Sequence, residues 1–112
     1  MSDIEARILS LPQDISFSCR RIEDVLKLET EQSFTDANNL NIQDIVARRL
    51  TVIGEAASIL AKKFPEFCEK HKDIPVNEAK RLRNFIVHEY AGIDWVSIWN
   101  TTQISLDPYA RC

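Results

Sequence analysis

The sequence predicts an all-helical domain: an antiparallel, up-and-down bundle of about five helices, with residues 1–112 forming one domain. Three observations predict it. Apolar residues recur every three or four positions through most of the chain. Only two of the 112 residues are glycine, Gly54 and Gly92. That is well below the ~7% usual share, and tight hairpin turns depend on glycine. The links between apolar stripes are short and begin with capping residues, which favours antiparallel neighbours. The core such a length allows is modest, so a dimer interface would add stability.

Ser10-Leu11-Pro12-Gln13 reads as a capping box with proline near the helix start. The helix it opens runs to about Leu28, with Ile15, Cys19, Ile22, Val25 and Leu26 on one face. Ser33-Phe34-Thr35-Asp36 reads as a short capped turn. Asn41-Ile42-Gln43-Asp44 starts the longest helix, which ends near Phe64. Its stripe is Ile42, Ile45, Val46, Ile53, Ala56, Ala57, Leu60 and Phe64. Gly54 inside that helix costs up to ~1 kcal/mol against alanine, and its simplest use is the close approach of another helix. Pro65 ends this helix or opens a short one through about Glu69.

Pro75 and Asn77 open the next helix, roughly residues 76–90, which buries Ala79, Leu82, Ile86 and Phe85. Gly92 follows, as a left-handed C-terminal cap. Asp94 caps a final helix from Trp95 to about Ile104, packed through Trp95, Ile98 and Trp99, and Pro108 breaks the end.

Composition excludes several functions. Two isolated glycines build no phosphate-cradling loop, which disfavours P-loop and dinucleotide folds. The net charge of −3 is not that of a polycation, so nucleic-acid contact requires a local basic patch. Candidates are Arg48-Arg49, Lys62-Lys63 and Lys80-Arg81-Leu82-Arg83. Three cysteines, Cys19, Cys68 and Cys112, form no disulfide framework and fit a reducing cytoplasm. Cys68 and His71 have half of a zinc-ligand spacing but lack a partner pair, so no metal is expected. The acidic N-terminus is no signal peptide, and no apolar stretch reaches membrane-spanning length.

The chemistry concentrates in Arg83-Asn84-Phe85-Ile86-Val87-His88-Glu89-Tyr90. One helix offers an arginine to hold phosphate, an amide to orient it, an imidazole and a phenol. Asn84 and His88 lie one turn apart and share a face, whereas Arg83 and His88 differ by roughly 140° around the axis. The long arginine stem brings its guanidinium toward the imidazole within one chain, or a two-fold axis brings Arg83 of one copy near His88 of another. The competing reading of His88 is a packing residue at a helix C-terminus. The set suits general acid–base cleavage of a phosphodiester without metal.

The string from Arg83 to Asp94 resembles the signature of HepT-type toxins of the HEPN superfamily: an arginine and a polar residue, a histidine five positions after the arginine, then a tyrosine two later. Arg48-Arg49-Leu50-Thr51-Val52-Ile53-Gly54-Glu55-Ala56-Ala57 resembles that family's long-helix motif, and Trp99 falls where members often carry tryptophan. The resemblance spans about residues 13–104. It departs from the family in a short last helix and in Pro12 within the first.

The resemblance implies a metal-independent endoribonuclease, working as a homodimer with its site at the interface and paired with an MNT-type nucleotidyltransferase antitoxin. By that resemblance His88 is general acid or base, Arg83 binds the scissile phosphate and Asn84 orients it. Tyr90 is the site of AMPylation by the antitoxin, and Asp44 and Glu55 contribute charge at the cleft rim. The implied substrate is RNA, either tRNA or mRNA. The chain itself needs no cofactor, ATP being the partner's substrate. Two other readings remain: a non-catalytic helical partner of the nucleotidyltransferase, and a nucleic-acid-binding module that uses Arg83 without chemistry.

Overall fold

The computed structural model describes residues 11–66, 76–88 and 92–104. They form five helices: α1 (Leu11–Leu26), α2 (Glu31–Thr35), α3 (Leu40–Lys63), α4 (Val76–His88) and α5 (Trp95–Ile104). No strand occurs among the described residues. The all-helical expectation therefore holds.

The long helix α3 organises the packing. It lies against both α1 and α4, while α2 packs on α5 and touches α3. The core forms where their apolar faces meet. Ile15, Cys19 and Ile22 of α1 are fully buried, as are Val46 and Ala57 of α3. Leu50, Ile53 and Leu60 of α3 join them, with Ala79 and Ile86 from α4 and Ile98 from α5.

Phe34 of α2 is fully buried. Its ring meets Trp95 edge-on at 5.8 Å and Trp99 at 5.7 Å. Burying such a ring stabilises by roughly 1.5–3 kcal/mol before any aromatic pairing is counted. Gln43, almost fully buried on α3, donates from its amide nitrogen to the carbonyl oxygens of Phe34 and Asp36, each at 2.9 Å. One side chain thus bonds two carbonyls at the end of α2, the Asp36 oxygen also accepting from the Asn39 amide at 3.0 Å, and it pins that end to α3.

Several boundaries differ from expectation. α1 includes Pro12 in its first turn, where a missing amide hydrogen breaks no helical bond. Its expected cap, Ser10, lies outside the described residues. α1 stops at Leu26, two residues early, and the Glu29 amide bonds back to the Leu26 carbonyl. The cap of α2 is Thr30, not Ser33. The Thr30 hydroxyl accepts from the Ser33 amide, and the Ser33 hydroxyl accepts from the Thr30 amide. The box was present as Thr-x-x-Ser, with serine in the place that glutamate usually takes.

On α3, Phe64 is exposed instead of buried, because the helix ends at Lys63 and the Phe64 amide closes the last turn on Leu60. Residues 65 and 66 are again helical, and the expected continuation to Glu69 lies outside the described residues. On α4, Phe85 is exposed, since it stands about 100° round the axis from the buried Ile86. Gly92 has no left-handed backbone, so it is not the expected cap; an added Cβ there meets open space. Asp94 does cap α5, accepting from the Val96 amide at 3.1 Å and the Ser97 hydroxyl at 2.9 Å. Residues 1–10 and Pro108 lie outside the description.

Candidate active site

The site begins at Gly54. A Cβ on this residue would lie 2.6 Å from the Ala79 carbonyl oxygen of α4, and closer still to the Arg83 Cβ. Neither contact is sterically possible, so only glycine lets α3 and α4 approach this far. The expected use of Gly54 is therefore the observed one.

That close approach places Arg83. Its stem leaves α4 directly over Gly54, and its head reaches the next residue of α3. Nη2 pairs with Oε1 of Glu55 at 3.5 Å, and Nη1 donates to Oδ1 of Asn84 at 3.0 Å. Nε is sealed from solvent and meets no acceptor. Both members of the ion pair are partly exposed, so it is worth no more than about 1 kcal/mol. Its value is orientation, since it holds a long side chain in one direction. Asn84 spends its carbonyl oxygen on the guanidinium, which leaves its NH2 group to donate elsewhere.

These groups edge an open groove of about 300 Å³. Gly54, Glu55, Ser58 and Ile59 of α3 form one wall, and Lys80, Arg83 and Asn84 of α4 the other. Two cationic heads and an amide against one carboxylate make it a place for an anion. Lys80, on the same face as Arg83 and Asn84, belonged to the basic run seen in the sequence. Ser58 and Ile59 carried no chemical signal there.

His88 does not line this groove. It is exposed in the last turn of α4, one turn beyond Asn84, with exposed Phe85 and Val87 nearby on the helix. Within one chain, Arg83, Asn84 and Glu55 are thus gathered and the imidazole stands apart. Tyr90 lies outside the described residues.

Asp44 is also apart from Glu55. It lines a second groove, of about 400 Å³, between α1 and α3, together with Phe17, Arg21, Ile45, Arg48 and Arg49. The Arg49 guanidinium carbon sits 5.8 Å from the centre of the Phe17 ring. Phe17 and Arg21 were not singled out by sequence, although their i, i+4 spacing puts them on one face.

No helix among the described residues is long and apolar enough to cross a membrane. A family model described as "Ribonuclease HepT-like" matches residues 15–112. A protein of Methanocaldococcus jannaschii named "Putative RNase" is 31% identical over 87 residues, covering 76% of this chain and 72% of the relative. A second from that organism, with the same printed description, is 34% identical over 77 residues, 68% of each chain. The "Probable ribonuclease HepT" of Thermococcus cleftensis is 34% identical over 61 residues, 54% of this chain and 53% of that one. No solved structure matches the chain significantly.

Proposed function

The chain belongs to the HepT-like ribonuclease family, and on that premise we propose that it is the endoribonuclease toxin of a toxin–antitoxin pair, cutting RNA without a metal ion. The observation that carries this reading is the Arg83–Asn84 anion site, held in place by Glu55 across Gly54.

The reaction is transesterification. His88 takes the proton of a ribose 2′-hydroxyl, and that oxygen attacks the adjacent phosphorus. The bond from phosphorus to the 5′-oxygen breaks, and a protonated imidazole gives the leaving oxygen its proton. The products are a 2′,3′-cyclic phosphate and a 5′-hydroxyl. Arg83 holds the phosphate and stabilises the charge that gathers on its oxygens, with Asn84 donating beside it.

The helix supports a homodimeric site. Arg83 and His88 project about 140° apart, so one copy presents its anion groove and its imidazole in different directions. A two-fold pairing lets the groove of one copy face the histidine of the other. Exposed Phe85 and Val87, flanking His88, suit the apolar part of such a contact. The helices are read as an up-and-down bundle, working in the cytoplasm. The partner is an MNT-type nucleotidyltransferase that neutralises the toxin by transferring AMP from ATP to Tyr90, putting negative charge where RNA phosphate would bind. Asp44, in the other groove, is read as a rim charge away from the reacting phosphate.

The test is cleavage of end-labelled RNA by the purified chain, compared with His88→Ala. The expected result is cyclic-phosphate products from the parent and a loss of about 10²–10⁴-fold in the variant, with helicity unchanged. Equal cleavage by both, or none by the parent, overturns the reading.

A further inference from the structure

We infer that the groove between α1 and α3 is a second contact for single-stranded RNA, with Phe17 stacking a base and Arg21, Arg48 and Arg49 holding the neighbouring phosphates. This rests on the ribonuclease reading above and extends it to how the substrate lies on the protein.

Three observations carry it. The first is composition. In a chain of net charge −3, this one groove gathers three arginines against a single carboxylate, Asp44. A guanidinium matches phosphate with a planar fork of donors. The second is the ring. Phe17 is 55% exposed although it sits beside a well-packed core, and Arg49 lies over it at 5.8 Å. A guanidinium on an open ring extends the stacking platform, which is what unpaired bases need and a duplex cannot use.

The third is register. Arg48 precedes Glu55 by seven residues on α3, so the two lie about 10 Å apart along the helix and within about 20° of the same direction. A strand whose phosphate rests on Arg83 and runs along α3 therefore reaches Arg48 and Phe17. A second copy of the chain is the competing occupant. A two-fold axis through this groove would set guanidinium against guanidinium, which charge repulsion disfavours.

The experiment separates binding from cleavage. In a non-cleaving His88→Ala chain, the affinity for a fluorescent single-stranded RNA is measured against salt concentration. Phe17→Ala, which alters no charge, is expected to weaken binding about 5-fold or more, and Phe17→Trp to restore it. Arg48→Gln and Arg49→Gln are each expected to flatten the log–log salt slope by about 0.7. Affinity within 2-fold of the parent in Phe17→Ala, with salt slopes unmoved in the arginine variants, overturns the assignment. So does conversion of a dimer to monomers by Phe17→Ala in sedimentation, since a second copy would then own the surface. If the parent cuts no RNA but binding depends on Phe17 and the arginines, only the nuclease reading falls.

Discussion

Gly54 and Arg83 meet where α3 and α4 cross, the glycine backbone lying directly under the root of the arginine side chain. Adding a methyl group at residue 54 should separate the helices. Alanine gains up to ~1 kcal/mol of helix propensity, but its Cβ would run into the Ala79 carbonyl, which is backbone and yields at a cost of about 1–3 kcal/mol. Gly54→Ala should therefore lower stability by about 1–2 kcal/mol net, a fall of several degrees in Tm. RNA cleavage should drop further than stability does. Calorimetry and a cleavage assay below the transition check both; an unchanged Tm would refute the crossing described.

Arg83→Lys tests orientation separately from charge. Lysine keeps the cation but cannot hold Glu55 and Asn84 while presenting a fork to phosphate. Cleavage should fall about 10²-fold or more, close to the loss in Arg83→Ala. The melting curve should move little, because the ion pair is partly exposed. Near-parental rates in the lysine variant would mean that position 83 supplies charge alone.

Gln43 links α2 to α3 from inside. Gln43→Leu fits the volume but leaves the Phe34 carbonyl without its side-chain partner, while the Asp36 carbonyl keeps the Asn39 amide. One orphaned acceptor costs about 1–3 kcal/mol, and a loss of that size is expected in urea unfolding. A loss under 1 kcal/mol would mean that water replaces the amide.

Ser18 is the opposite case. It is fully buried and its hydroxyl has no hydrogen-bond partner. Ser18→Ala removes an unsatisfied polar group from a helix and should raise stability by about 0.5–1.5 kcal/mol. A destabilised variant would show that the hydroxyl has a partner in solution.

Periodicity and caps made most of this legible from residues alone. α3 and α5 begin and end within two residues of expectation because their stripes are long and Asp94 is an unambiguous cap. The close crossing at Gly54 was readable for a simple reason: glycine in mid-helix has few other uses. Thr30 escaped because its capping partner is serine. Gln43 escaped because a polar side chain on an apolar stripe reveals nothing of the carbonyls it will meet. The Arg83–Asn84 pair could be guessed from adjacency, but its link to Glu55 depends on how α3 and α4 cross, which one-dimensional spacing does not contain.

The ring of Phe34 ties α5 to α2 through both tryptophans, while Ile98 seats α5 in the core. A helix of 10 residues packed chiefly on so short a partner should open together with it. Amide protons of α2 and α5 should exchange with deuterium together, and sooner than those of α3, which is held along its length by two neighbours. The last helix then behaves as a flap with its own opening free energy, one that can detach while the Gly54 crossing stays shut.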